Sequence, residues 1–419
     1  VSVVLAAGQA EDQTQSIIDR EKRFLLQNYA RYPLALARGK GCYVFDIRGK
    51  RYLDLISGIG VNALGHAHPR VVRTIREQAA RLIHCSNLYY HEYQGKLAEV
   101  IALRSGLDRC FFANSGTEAV EGALKMVRAH GSRINPEKFE IIALENSFHG
   151  RTIGALSVTG QPKYRKDFEP LLPGVRFVPV RDERALEAAA SDRTAGIILE
   201  VIQGEGGVYP ICERMLRKAK ALTERFDALL VFDEIQCGVG RPGTYFAYQL
   251  FHPAVVPDVM VTAKPLAAGL PLGVIACNER AAASIQPGMH GSTFGGGALA
   301  CRVAYEFFAV LEELLPRIRD NGAYFKMRLE ELATKHAFIK EVRGVGLMLG
   351  VELLMPGKQL VVDAMNEGLL INCTHEVVLR FLPPYTLGKR EIDQAIRILS
   401  RVFRNAERYW FEHQKQSER

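Results

Sequence analysis

Two short apolar runs, each ending on a single charged residue, constrain this chain more than any other feature. Residues 228–232 (Ala-Leu-Leu-Val-Phe) are too short and too evenly apolar for an amphipathic helix, so they read as a buried strand that delivers Asp233. Residues 258–263 deliver Lys264 in the same way, thirty-one positions after Asp233. Parallel neighbours place their C-terminal ends side by side, and that edge is where open α/β sheets keep their ligand crevice. A lone Asp and a lone Lys are more often a helix cap and a surface charge. The pair therefore needs support from the rest of the chain.

With 419 residues the chain exceeds the size at which a single core stops growing, and two lobes are expected. It is 48% hydrophobic and 24% charged, and no apolar run approaches the length of a membrane span. Its net charge of +8 comes from dispersed Lys and Arg with no basic block interleaved with aromatics. That pattern argues against a nucleic-acid partner and for weak attraction of small anions. Eight scattered cysteines form no knuckle or redox pair, which predicts reduced thiols in a cytoplasmic enzyme. Residues 1–7 are apolar but lack the length and basic flank of a secretory signal. The chain begins at Val1 without Met, so residues upstream are expected.

Residues 13–27 have helical spacing, and 43–46 with 51–55 predict a hairpin around Arg48-Gly49. The Gly-rich stretch from Gly58 to Pro69 follows. Its His66 and His68 have no acidic or Cys partner close in sequence and read as loop histidines, so no metal is expected. Helices are predicted over 69–82 and 93–104, then a strand over 109–112 that enters Asn114-Ser115-Gly116-Thr117-Glu118-Ala119 and a helix over 120–130. Amides at such a helix start, with the Ser115 and Thr117 hydroxyls, suit a phosphate; they equally suit an ordinary N-cap. Strand 140–144 leads to Phe148, able to stack on a planar ring, and to Arg151, able to grip a carboxylate. Strand 195–200 precedes Gln203-Gly204-Glu205-Gly206-Gly207, and the loop from His290 to Gly297 again collects small residues suited to phosphate.

Alternating strands and helices from residue 70 to 300 predict an α/β fold with a mostly parallel sheet covered on both faces. Two amphipathic helices, 298–314 and 317–336, lead to a smaller α+β unit with strands at 339–342 and 347–353, a helix from Gln359 and a last helix from Lys389. The expected division is 1–68, 69–303 and 304–419. In a crevice of this kind, Lys264 and Asp233 match pyridoxal 5′-phosphate (PLP). The amine captures the aldehyde, and the carboxylate keeps the ring nitrogen protonated.

Five motifs then fall into one order. Ser115-Gly116-Thr117-Glu118-Ala119, Phe148-His149-Gly150-Arg151-Thr152, Gln203-Gly204-Glu205-Gly206-Gly207, Asp233-Glu234-Ile235-Gln236 and Lys264 resemble the class III (ω-amino acid) aminotransferases. The likeness runs from about Tyr29 to the last helix and is closest to the acetylornithine/ornithine branch. It implies PLP fold type I, with a large domain on a seven-stranded sheet, a smaller domain, and a homodimer with shared active sites. It also implies roles: Lys264 for covalent attachment and proton transfer, Asp233 for the ring nitrogen, Gln236 near the ring hydroxyl, and Phe148 for stacking. Ser115, Gly116 and Thr117 would hold the phosphate, joined by Thr293 with Ser292 from the other subunit. Tyr29, Ile59, Arg151, Glu205 and Arg380 would meet the substrate. Val201, Pro242 and Gly297-Ala298 depart from the usual family residues and put only loop details in doubt.

The substrates implied are an amino acid and a 2-oxo acid, with N-acetylornithine as donor and 2-oxoglutarate as acceptor. Ornithine, 4-aminobutyrate, succinylornithine or a carrier-linked lysine are alternative donors. Ile59 stands where ornithine transaminases tend to have Tyr, which favours an acylated α-nitrogen. An aminomutase of the same fold would lack the Phe-His-Gly-Arg-Thr motif and the Glu205 and Arg380 pair. A non-catalytic binding protein would not need Lys264 and Asp233.

Overall fold

A seven-stranded sheet forms the centre of the computed structural model, which describes residues 2–417. Its spatial order is Arg109–Ala113, Gly273–Cys277, Val259–Thr262, Leu229–Asp233, Thr194–Glu200, Glu140–Leu144 and Val175–Val178. Gly273–Cys277 pairs antiparallel with both neighbours, and the other pairings are parallel. The mostly parallel sheet is thus as expected. The strands Gly273–Cys277 and Val175–Val178 had no counterpart in the sequence reading.

Strand residues alternate between two cores, as a pleated strand requires. Ile141, Ala143, Ile198, Val231 and Val261 face a cluster with Ala119, Val120, Ala123 and Val127 of the helix Gly116–Ile134. Ile142, Leu144, Leu199, Leu230 and Phe232 face a larger cluster that includes Leu216 and Leu222 of the helix Glu213–Arg225. Every residue from Leu229 to Asp233 is buried, which explains the uniformly apolar run. Truncating Phe232 to Ala would cost about 3–5 kcal/mol.

One expectation is corrected. The segments 298–314 and 317–336 form a single helix, Ala298–Ala333, with Pro316 inside it. Proline removes one hydrogen bond and clashes with the preceding turn. The buried Phe307, Leu311, Leu315, Ile318 and Phe325 hold the helix through that defect.

The smaller unit centres on a four-stranded sheet ordered Ile339–Val345, Met348–Leu353, Val378–Phe381 and Asn372–Thr374. The predicted hairpin is present as Tyr43–Asp46 and Arg51–Asp54. It gains an outer strand, Leu36–Lys40, and pairs with Leu369–Leu370, which ties the N-terminal segment to the C-terminal third. The first helix spans Ser2–Phe24, so its described end falls before the predicted Gln27. His66 Nε2 donates to Asp54 Oδ2 at 2.8 Å, an acidic partner that lies twelve residues upstream. Arg241 is wholly buried where the units meet, bonding the carbonyls of Leu347, Pro383 and Gly60 and lying over the Tyr385 ring. No helix among the described residues is long and apolar enough to cross a membrane.

Candidate functional site

Sheet register builds the floor of the site. Asp233 lies directly opposite Glu200 on one side and Val261 on the other. Lys264 follows two residues after the end of Val259–Thr262 and opens a short 3₁₀ turn, Lys264–Ala267. Three adjacent strand ends therefore present a carboxylate, a second carboxylate and an amine to one cavity of about 380 Å³. That size falls within the roughly 300–1,000 Å³ typical of small-molecule sites.

Asp233 is 3% exposed and fully engaged. Its Oδ2 lies 2.7 Å from His149 Nδ1, and its Oδ1 accepts the Ile235 N–H at 3.0 Å. His149 Nε2 is buried and has no hydrogen-bond partner among the described residues. A donor on the tautomer that faces Asp233 fixes the carboxylate in orientation. Glu200 spans two loops: one oxygen accepts the Phe148 N–H and the other the Gly204 N–H, both at 2.9 Å. Burial pushes its carboxyl up to about 7, with His149 opposing and Asp233 adding to the shift. Burial also lowers the Lys264 amine, partly offset by the charges of Glu205 and Asp233. A buried amine of lowered pKa is better supplied in its neutral, nucleophilic form.

The opposite wall is the start of the helix Gly116–Ile134, capped by Ser115, whose side chain accepts the Glu118 N–H at 3.3 Å. The Gly116 and Thr117 amides belong to the group that a helix leaves without internal partners. A Cβ at Gly116 would sit 2.8 Å from Ile235, so this close approach requires glycine. Thr117 Oγ1 binds Thr152 Oγ1 at 2.9 Å, which joins the helix start to the loop of Phe148 and Arg151. Arg151 stacks on Tyr164 at 3.9 Å and lies 5.4 Å from the Phe148 ring.

Glu205 enters from the Gly-rich loop and meets Arg380 from the small sheet, with Nη1 to Oε1 at 2.6 Å. Arg380 is 1% exposed and also donates to Gln236 Oε1 at 3.0 Å. Burial alone would raise Glu205, but the charge and hydrogen bond of Arg380 take it below the usual carboxylate range. Glu205 also lines a second cavity with Arg31, Tyr32, Lys163, Tyr164, Cys373 and Thr374, so one side chain forms part of both walls.

Of the residues expected at the site, Ser115, Gly116, Thr117, Phe148, Arg151, Glu205, Asp233, Gln236 and Lys264 line the main cavity, and Arg380 adjoins it through Glu205 and Gln236. Others stand apart. Tyr29 is 69% exposed and lies in a separate hollow with Ile17 and Leu36, while Ile59 is 41% exposed and Val61 takes the place on the cavity wall. Ile59 also has φ of 61°, a conformation that strains a β-branched residue. Ser292 is held within its own chain by Asn114 at 3.2 Å, whereas Thr293 is exposed on the loop tip. The sequence reading passed over Glu200, His149 and Ile235. Glu200 carried the same signal as Asp233, an acid ending a buried apolar run.

A family model described as aminotransferase class-III matches residues 25–403. An acetylornithine aminotransferase of Methanocaldococcus jannaschii is 47% identical over 389 residues, covering 92% of this chain and 97% of that protein. One from Aquifex aeolicus is also 47% identical, covering 90% of this chain and 99% of its own. Among solved structures, the ornithine aminotransferase of Toxoplasma gondii superposes with a TM-score of 0.90 at 33% identity, covering 94% of this chain and 96% of the other. The acetylornithine aminotransferase of Elizabethkingia anophelis does so with a TM-score of 0.83 at 30% identity, covering 94% and 99%. A match over nearly the whole length, on a sheet whose strand ends carry Asp233 and Lys264, places this chain in the class III aminotransferases.

Proposed function

We propose that the chain is a PLP-dependent transaminase that moves the terminal amine of N-acetylornithine to 2-oxoglutarate, giving N-acetylglutamate 5-semialdehyde and glutamate, a step of arginine biosynthesis. The observation that carries this reading is the Glu205–Arg380 pair, in which the buried Arg380 is joined to a Glu205 that lines the same cavity as Lys264 and Asp233. The acetylornithine aminotransferases at 42–47% identity support the choice of donor.

The residues present fit the cofactor. Asp233, held by His149, faces the cavity floor as the acceptor that a protonated ring nitrogen needs. Phe148 and Ile235 supply apolar walls, and the helix start at Ser115, Gly116 and Thr117 supplies amides and hydroxyls for a phosphate. When bound, PLP supplies an aldehyde that captures amines and a conjugated ring that takes up the electron pair released at the substrate carbon.

In this reading, Lys264 would hold the cofactor covalently, and its Nζ would carry a proton from the reacting carbon. Asp233 keeps the ring nitrogen protonated throughout, and Gln236 orients the ring hydroxyl. Arg151 grips the α-carboxylate of the donor and one carboxylate of 2-oxoglutarate. Glu205 neutralises Arg380 while the uncharged ω-carbon chain occupies the site. When glutamate or 2-oxoglutarate arrives, Glu205 rotates away and Arg380 takes the second carboxylate. Leaving Arg380 buried and unpaired would cost several kcal/mol, which is why a carboxylate partner must alternate with the substrate.

The same reading divides the chain into 1–68, 69–303 and 304–419, with the helix Ala298–Ala333 crossing the last boundary as a connecting rod. It places the protein in the cytoplasm and makes it a homodimer. Leu88, Tyr89, Tyr90 and Phe294 are large, apolar and more than two-thirds exposed. Asn87 bonds the carbonyls of Ser292 and Gly295, so the apolar segment and the loop of Thr293 form one surface. Covering that surface with a second copy would carry Thr293 to the partner's phosphate site.

The test is a panel of donors with 2-oxoglutarate: N-acetylornithine, ornithine, 4-aminobutyrate and N-succinylornithine. The highest kcat/KM is expected for N-acetylornithine. A higher value for free ornithine or 4-aminobutyrate would sink the acetylornithine assignment and leave the class intact.

A further inference from the structure

The short strand Asn372–Thr374 carries a neighbour for each member of the Glu205–Arg380 pair. It runs antiparallel to Val378–Phe381, with Asn372 opposite Arg380 and Thr374 opposite Val378. Asn372 Oδ1 accepts from Arg380 Nε at 3.3 Å. Thr374 Oγ1 lies 2.6 Å from the Glu205 carbonyl oxygen and 3.3 Å from Glu205 Oε2.

The backbone around Glu205 is pinned on several sides. The Gly204 N–H donates to Glu200, Gln203 Nε2 donates to the Glu145 carbonyl, and Arg343 Nε donates to the Gly207 carbonyl at 2.8 Å. A Cβ at Gly204 would lie 2.1 Å from Gln236, so the loop packs directly on the cavity wall. Glu205 can therefore part from Arg380 only by rotating its side chain.

We propose that Asn372 and Thr374 are positioning residues that set the balance of this pair, Thr374 favouring the closed arrangement and Asn372 the open one. The proposal rests on the selectivity role assigned above to Glu205 and Arg380. In the closed arrangement Arg380 has a carboxylate and two amide oxygens, and the single Thr374 hydroxyl proton, shared between the Glu205 carbonyl at 2.6 Å and Oε2 at 3.3 Å, steadies the far oxygen of Glu205. In the open arrangement Arg380 keeps only the Asn372 and Gln236 oxygens until a substrate carboxylate arrives. Removing Asn372 therefore weighs most on the open form, and removing the Thr374 hydroxyl weighs most on the closed form. A neutral amide suits the task. It holds the guanidinium in place without neutralising it, as a carboxylate at that position would.

The test uses the PLP-loaded enzyme and its two amino donors, N-acetylornithine and L-glutamate, with each half-reaction followed by rapid-mixing absorbance. Thr374→Val is expected to raise the glutamate to ω-donor ratio of kcat/KM about fivefold, and Asn372→Ala to lower it about fivefold, mainly through KM for glutamate. Thr374→Ser should restore the wild-type ratio. Asn372→Asp should lower it more than about tenfold by competing for Arg380. A merely structural role would slow both donors alike, so an unmoved ratio, or a shift of both variants in the same direction, overturns the proposal. If N-acetylornithine is not a donor, ornithine or 4-aminobutyrate gives the same ratio, so failure of the acyl assignment is read separately.

Discussion

The two ends of the main cavity are built by different means. At the end assigned to the cofactor, ladder register sets Asp233 opposite Glu200, and Lys264 follows two residues after the end of the neighbouring strand Val259–Thr262. At the substrate end, Glu205, Gln236, Thr374 and Arg380 come from the large sheet's loops and the small sheet, brought together across 144 to 175 residues of sequence. The first end cannot shift without breaking backbone hydrogen bonds. The second is held by side chains that can exchange partners. A transaminase needs both: one chemistry that never changes, and one pocket that must accept two different substrates in turn.

This contrast can be broken most sharply at the cofactor end. Lys264→Ala should lower turnover of N-acetylornithine with 2-oxoglutarate by on the order of a thousandfold or more. Borohydride reduction of the wild type, followed by peptide mapping, should place the pyridoxyl group on Lys264; labelling elsewhere would defeat the assignment. Asp233→Ala should retain bound cofactor, visible in its absorbance, yet lose about a hundredfold to a thousandfold in rate. A near wild-type rate would mean that the strand-end carboxylate is not the group that serves the ring.

Substitutions at the substrate end should redistribute activity instead of abolishing it. Arg380→Ala is expected to cost more than about tenfold in kcat/KM for glutamate while changing the N-acetylornithine half-reaction far less, and Glu205→Ala should favour glutamate. Equal losses for both donors would erase the distinction drawn between the two ends.

The effect with least bearing on turnover concerns stability. Burial raises the carboxyls of Glu200 and Glu234 from 4.5 to about 7. A carboxyl raised on folding stabilises the fold fully below its unfolded value, and that contribution is lost as pH rises through the folded value. Melting temperature should therefore carry a component that falls between pH 4.5 and 7. Glu200→Gln should flatten it, removing a dependence of roughly 3 kcal/mol. An unchanged pH profile in that variant would show that Glu200 stays ionised in the folded chain.

The same contrast explains what was legible in the sequence. Asp233 and Lys264 are announced by the runs before them, because a buried parallel strand must be apolar throughout and its end is abrupt. Gly273–Cys277 is equally buried and apolar, though antiparallel to both neighbours, and it follows so directly on the Gly and Pro of the preceding loop that its start carries no boundary signal. Leu36–Lys40 is an edge strand of mostly exposed residues and carries no alternation to find. Pro316 misled because local propensity is outweighed by the apolar face on either side of it. Thr374 and Asn372 had no local signal at all. Their neighbours, Glu205 and Arg380, become adjacent only when the small sheet docks.

Arg241 has a mechanical consequence. Its guanidinium is bonded to carbonyls of the small sheet's turn, of the segment after that sheet, and of the Gly60 loop, with no carboxylate partner among the described residues. Burial lowers its affinity for the proton, and those carbonyls are what hold the buried cation in place. Swinging the small unit open would strip acceptors from a buried charge, at a cost of several kcal/mol. Arg241 thereby opposes a hinge at this junction. The change of selectivity proposed for the cavity asks only that one glutamate side chain turn on its backbone, with the frame standing still.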